Sequence, residues 1–214
     1  MKIEVKNVGK KFGKVDVLNN ININFKSGKV YGLIGRNGSG KSVFLKLLCG
    51  FYRPSTGYIL YDGVDINKEN IYPPNTRALI EKPYFISDFS GFENLKLLAS
   101  IQNSIGDNEI NSILKQLNMY KEKDKKFSTY SLGTKQKLGL AQVLMENPDV
   151  IILDEPLNGI ENKTAMEFRN IIKSEKKKGK LIIIASHIKE DIEELADELY
   201  EFDDGSITKK KLTK

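Results

Sequence analysis

Cysteine is almost missing from this chain: Cys49 is the single thiol in 214 residues. One cysteine excludes an internal disulfide, and with it the stapled secreted scaffolds, and fits a reducing compartment. Long hydrophobic runs are missing as well. Runs such as Ile151–Leu153 and Leu181–Ala185 fall far short of the roughly 18 to 20 apolar residues that span a bilayer. The opening Met1-Lys2-Ile3-Glu4-Val5-Lys6 has no apolar stretch of the kind that directs secretion. Arginine is scarce, at positions 36, 53, 77 and 169 only, so the net charge of +6 rests on lysine. A basic balance admits an anionic partner: nucleotide, nucleic acid or an anionic membrane face. The lysines are scattered among acids, as in Lys121-Glu122-Lys123-Asp124-Lys125-Lys126, which reads as a solvated surface rather than a binding stripe. There is no internal repeat and no low-complexity linker. These absences predict a water-soluble, cytosolic globular protein.

What is present is enough to bury a core: 40% of the residues are hydrophobic, and the length suits one large domain or two small ones. Ile21-Asn22-Ile23-Asn24-Phe25 alternates as a half-buried strand does. Asp62-Gly63 between Gly57–Leu60 and Val64–Ile66 marks a hairpin, and Asp204-Gly205 marks another. Val30–Ile34 is a short apolar strand running into a glycine-rich segment. A helix follows with Phe44, Leu45, Leu47 and Leu48 on one face, and Gly50 ends it. From about Pro74 to Asn147 the pattern is helical; Ile110, Ile113, Leu114 and Leu117 recur at helical spacing, as do Leu138, Ala141, Val143 and Leu144. Strands return at Asp149–Leu153 and Leu181–Ala185, with a helix near Ala165–Lys178 between them. Their unbroken apolar character predicts a buried parallel sheet. Cys49 falls on the apolar helix face as a small core residue. Lys209-Lys210-Lys211 suits contact with anionic lipid, but its default reading is a frayed, solvated terminus.

Gly35-Arg36-Asn37-Gly38-Ser39-Gly40-Lys41-Ser42 matches the phosphate-binding loop, in the strand-to-helix context that loop requires. Glycines let the backbone wrap a triphosphate with its N–H groups inward, and the helix that begins there adds its positive end. Lys41 would reach the β- and γ-phosphates, and the Ser42 hydroxyl would ligate Mg²⁺. Val150-Ile151-Ile152-Leu153-Asp154-Glu155 is an apolar strand ending in two acids. Asp154 would hold the Mg²⁺, and Glu155 would polarise a water for in-line attack on the γ-phosphorus.

With these two motifs the chain resembles the ATP-binding subunit of ABC transporters, and the likeness covers nearly all of it. Ser131-Leu132-Gly133-Thr134-Lys135-Gln136, about twenty residues before Asp154, is similar to the family's signature loop. The resemblance implies that the Ser131 hydroxyl and Gly133 N–H face a γ-phosphate. It implies that His187, the only histidine, is the switch that contacts the γ-phosphate and the attacking water. Phe12, in Lys11-Phe12-Gly13, matches the aromatic that stacks on adenine, though a core aromatic at a strand end fits it equally. Gly35 to Val43, with Phe12, Ser131 and Gly133, would bind ATP; Glu155, His187 and Lys41 would be catalytic. Ser42, Glu81 and Asp154 would bind the metal. The implied fold is α/β: a P-loop NTPase (RecA-like) core with an N-terminal antiparallel β subdomain and an inserted α-helical subdomain. It forms a single ATPase domain over 1–214, with 1–80 and 148–214 as the core and 81–147 as the helical subdomain.

Three departures from the family pattern stand out. Glu81 occupies the junction position where the family usually has Gln, Leu132 replaces the first signature glycine, and Glu161 replaces the usual Asp of the loop after Glu155. Ile80-Glu81-Lys82-Pro83-Tyr84-Phe85, Glu93-Asn94-Leu95 and Ser131-Leu132-Gly133 resemble the subgroup that exports peptide antibiotics such as bacitracin and lantibiotics. The resemblance implies a homodimer or heterodimer of ATPase subunits with ATP between one phosphate loop and the other signature loop. It further implies a separate membrane permease subunit, a peripheral place on the inner face of the cell membrane, and no direct nucleic-acid partner. A cytoplasmic helix of the permease would dock among Glu81, Pro83, Tyr84, Phe85 and Phe89, although those aromatics suit a subdomain core as well. The rival reading, a soluble relative acting on nucleic acid or ribosomes, lacks its usual tandem cassettes, heptads and zinc cysteines here. An ATP-gated module that signals without turnover is a third, and Glu155 with His187 argues against it.

Overall fold

The computed structural model describes residues 1–212. Two compact units divide the chain, one of Met1–Ile80, Asp149–Pro156 and Ile172–Lys214, the other of Glu81–Pro148 and Leu157–Ile171.

The first unit holds two sheets. In one, β1 (Lys2–Phe12), β2 (Val15–Lys26), β4 (Thr56–Tyr61) and β5 (Val64–Asp65) pair antiparallel in the order β2-β1-β4-β5. Leu18, Ile21, Ile23 and Phe25 of β2 turn inward while the asparagines between them face water, as the period of two requires. The other sheet has β3 (Val30–Ile34), β6 (Thr76–Leu79), β7 (Val150–Asp154), β8 (Leu181–Ser186), β9 (Glu198–Asp203) and β10 (Ser206–Lys210), ordered β10-β9-β3-β8-β7-β6. All its pairings are parallel except that of β9 with β10. Every residue of β3, β7 and β8 is buried, which is why these strands lack alternation.

The sequence expectation of helix from Pro74 onward is corrected here. Thr76-Arg77-Ala78-Leu79 is the edge strand β6, and only Leu79 of its four residues is fully buried. An edge strand this short and polar carries no periodic signal. Lys209 and Lys210, expected in a frayed terminus, instead lie in β10 and pair with Glu198 and Glu201.

Between the sheets runs α1 (Lys41–Leu48). Phe44 meets Phe202 of β9 with ring centroids 5.3 Å apart, and Phe25 sits edge-on to Tyr31 at 4.9 Å. The buried Tyr61 hydroxyl donates to the Leu48 carbonyl at 2.7 Å, satisfying an acceptor that the end of α1 leaves open. A short helix, α6 (Lys189–Glu193), follows β8.

The second unit is helical: α2 (Gly91–Gln102), α3 (Asp107–Gln116) and α4 (Leu132–Leu144), with the first part of α5 (Asn162–Lys177). Ser90 and Glu93 cap α2 reciprocally, Ser90 N–H donating to Glu93 Oε2 at 2.7 Å and Glu93 N–H to Ser90 Oγ at 3.1 Å. The Asn94 amide ties down the preceding loop through the Ile86 and Ser90 carbonyls and the Ile86 N–H. Among the described residues no helix is long and apolar enough to cross a membrane.

Candidate functional site

Sheet register sets the geometry of the first unit's site. Leu33, Ala185 and Asp154 lie in one row across β3, β8 and β7, and Ile34 faces Ser186 in the next. The segments after these strands therefore leave the sheet side by side: Gly35 after β3, His187 after β8 and Glu155 after β7. The carboxyl ends of parallel strands are where open α/β sheets place their ligands.

Gly35–Gly40 links β3 to α1. Gly40 caps that helix at φ 102° and offers no side chain to its first N–H groups, and no acidic residue occupies the first turn. A Cβ at Gly40 would lie 2.7 Å from Leu18 Cδ2 and 3.1 Å from the Val17 carbonyl oxygen. Only glycine fits there, which leaves a helix start with uncapped donors, receptive to an anion. Lys41 is buried; its ammonium donates to the carbonyls of Gly35 (2.6 Å) and Arg36 (3.1 Å). Burial pushes its pKa down, against the opposing pull of the Glu155 and Asp154 carboxylates. The Ser39 hydroxyl is buried with no hydrogen-bond partner. A hollow of about 170 Å³ is lined by Val17, Asn37 to Val43 and Glu155. Val17 went unrecognised in the sequence; alternation along Val15-Asp16-Val17-Leu18 marks a strand but does not mark a ligand.

Asp154 ends β7 and is buried. Glu155 follows in the left-handed region at φ 49°, a conformation that costs a non-glycine residue about 1 kcal/mol. Its N–H donates to the Ala185 carbonyl at 2.9 Å, and its Oε2 lies 2.9 Å from His187 Nδ1. The other oxygen, Oε1, is buried without a hydrogen-bond partner. A carboxylate so held has one oxygen fixed by imidazole and one left to accept a proton or a water. Ser186 helps aim His187, since its hydroxyl accepts from the Ile188 N–H at 3.0 Å.

Phe12 stands at the end of β1, 42% exposed, so the core-aromatic alternative is set aside. Its ring meets Tyr52 edge-on, centroids 5.3 Å apart and planes at 76°, with the Lys10 ammonium 4.9 Å from its centroid.

In the second unit Ser131 caps α4, its hydroxyl accepting from the Thr134 N–H at 3.2 Å and lying 2.9 Å from Thr134 Oγ1. Gly133 approaches Thr164, leaving no more than van der Waals room for a Cβ, at 3.4 Å. Ser131, Gly133, Thr134, Lys137, Glu161 and Thr164 are among the residues lining a hollow of about 160 Å³. Lys137 and Thr164 were not singled out in the sequence, because their partners lie some thirty residues apart. Glu81 opens this unit, exposed and at φ 66°. Tyr84 is 91% exposed, whereas Phe85 stacks edge-on against Phe127 at 5.1 Å and belongs to the unit's packing.

Comparison with known proteins places this arrangement. The sequence profile of the family described as ABC transporter matches residues 18–158. An ABC transporter ATP-binding protein of Bacillus subtilis, YybJ, is 39% identical over 96% of this chain and 94% of its own length. The bacitracin transport ATP-binding protein BcrA of Enterococcus faecalis is 37% identical over 96% of this chain and 67% of its own. The lantibiotic transport ATP-binding protein SrtF of Streptococcus pyogenes is 34% identical over 98% and 90%. Among solved structures, an ATP-binding subunit of an ABC transporter superposes with a TM-score of 0.88 at 23% identity, covering 99% of this chain and 90% of its own.

Proposed function

Because this chain belongs to the ABC transporter family of ATP-binding proteins, for which ATPase activity is expected, we propose that its first unit binds and hydrolyses ATP to drive transport through a separate membrane subunit. The single observation that carries this reading is the His187–Glu155 pair, 2.9 Å apart, leaving the sheet beside the phosphate loop. In the proposed reaction the N–H groups of Gly38 to Val43 cradle the triphosphate. The Lys41 ammonium, which now donates to loop carbonyls, turns to the β- and γ-phosphate oxygens. Glu155 Oε1 accepts a proton from water as the water oxygen bonds to the γ-phosphorus; the bond to the β,γ-bridging oxygen breaks, giving ADP and phosphate. His187, held through Nδ1, presents Nε2 to the γ-phosphate. Phe12 stacks on the base.

Mg²⁺ suits this site. It is held by one or two protein oxygens plus phosphates and waters rather than by an all-protein cage. Among the described residues no three His, Cys, Asp or Glu side chains converge on a metal site, while the Ser42 hydroxyl and the Asp154 carboxylate belong to the loop and strand that would flank the phosphates. The ion would neutralise charge on the β- and γ-oxygens.

Glu155→Gln tests the assignment. ATP turnover should fall at least about 100-fold while MgATP binding persists; full turnover in the variant would remove Glu155 from its role. The signature hollow of the second unit would complete the site in a dimer, Ser131 and Gly133 meeting the γ-phosphate of a second copy or of a related subunit. The bacitracin and lantibiotic transport roles of BcrA and SrtF support export of a peptide antibiotic as the transport this subunit drives. Affinity capture from detergent-solubilised membranes, with and without ATP, should recover a multi-span protein; recovery of ribosomes or DNA alone would favour a soluble role instead.

A further inference from the structure

We infer that Tyr52 is a positioning residue for base recognition: it holds the Phe12 ring at a fixed attitude to the phosphate loop without itself touching nucleotide. The inference rests on the proposed roles of Phe12 and of Gly35–Ser42.

A ring at the end of a strand, 42% exposed and next to the Gly13-Lys14 turn, has little of its own to hold it. Phe12 is held from elsewhere. Tyr52 meets it edge-on at 5.3 Å, the favourable geometry for two quadrupoles. The Lys10 ammonium lies 4.9 Å from the Phe12 centroid and 5.5 Å from that of Tyr52, within cation–π reach of both rings. It is itself anchored, donating to the Arg53 carbonyl at 2.8 Å.

Tyr52 is also tied to the helix that begins at the phosphate loop. Its N–H donates to the Lys46 carbonyl at 3.3 Å, and the Lys46 ammonium lies 5.9 Å from its ring. The chain beyond it is zipped to β1: Ser55 N–H donates to the Gly9 carbonyl at 2.8 Å, and Lys11 N–H to Ser55 Oγ at 3.0 Å. Tyr52 is therefore the common neighbour of α1, which starts at Lys41, and of the ring proposed to take the base. A nucleotide has a nearly fixed span from base to triphosphate. A site that presets this span loses less freedom on binding than one whose ring must be caught and turned.

Equilibrium binding of MgATP and of magnesium tripolyphosphate, on the full chain, tests this. Tyr52→Leu should weaken MgATP about three- to tenfold and leave tripolyphosphate affinity as in wild type. Tyr52→Phe should restore MgATP affinity, because the ring and not the hydroxyl makes the contact. Unchanged MgATP affinity in Tyr52→Leu overturns the inference, and so does an equal loss for both ligands, which would make Tyr52 a support of the fold alone. Phe12→Ala keeps the two possible failures apart. If it binds MgATP as wild type does, the base-stacking role of Phe12 is what has failed. If it loses affinity while Tyr52→Leu does not, only the positioning role has.

Discussion

A thiol on the inner face of a helix is chemically quiet, and Cys49 shows how far burial takes this. Packed at the end of α1, it has its pKa pushed up to about 12. Thiolate is the reactive form, so at pH 8 the native protein should resist a thiol-specific disulfide reagent. Modification should follow unfolding, with the rate rising as urea is added; prompt stoichiometric labelling without denaturant would contradict the packing described. Glu155 and His187 make the contrasting case, since both keep access to the loop. Their individual identities were legible as the acid after an apolar strand and the one histidine after another. Their contact was not, because 32 positions separate them and only the register of β7 on β8 brings them together. Tyr52 was illegible for the same reason: nothing in Phe51-Tyr52-Arg53 signals the ring of Phe12.

At the scale of elements, the β9–β10 hairpin is clipped by one carboxylate. Glu198 accepts from Lys29, Lys209 and the Tyr200 hydroxyl at 2.7 to 2.9 Å. Burial raises its pKa, but these donors outweigh burial and hold it at about 2. A carboxylate depressed in the folded state adds stability above its unfolded pKa of about 4.5 and loses it as pH falls toward 2. Lys29 and Lys209 are 44% and 60% exposed, so screening limits the clip to about 1 kcal/mol. Glu198→Gln should lower the urea midpoint at pH 6, and the gap to wild type should close between pH 4.5 and 2. A constant gap would mean that the charge contributes nothing. The elements most legible in the sequence were those buried on all sides, β3, β7 and β8, and the helices with a clean apolar face. The edge strand β6 was not, because it has a strand partner on one side only and its residues obey no period.

For the whole molecule, the division into two units gives each a hollow, one around Lys41 and one around Ser131, and the proposed function makes both of them receptors for phosphate. If a second copy joins them, Glu155→Gln should sediment as a dimer with MgATP and as a monomer with ADP, whereas a monomer under both conditions would leave the signature hollow without its proposed use. The strand order carries a consequence for synthesis. β3 lies early in the chain, yet its neighbours β8 and β9 begin about 150 and about 170 residues later. The β1-β2-β4 sheet can pair among residues 2–61, but the strand that feeds the phosphate loop waits with two open edges until β8 and β9 are made. A nascent chain thus carries β3 as an unpaired apolar segment while the intervening residues up to β8 are made. Competence to bind nucleotide comes late, with closure of the sheet around β3.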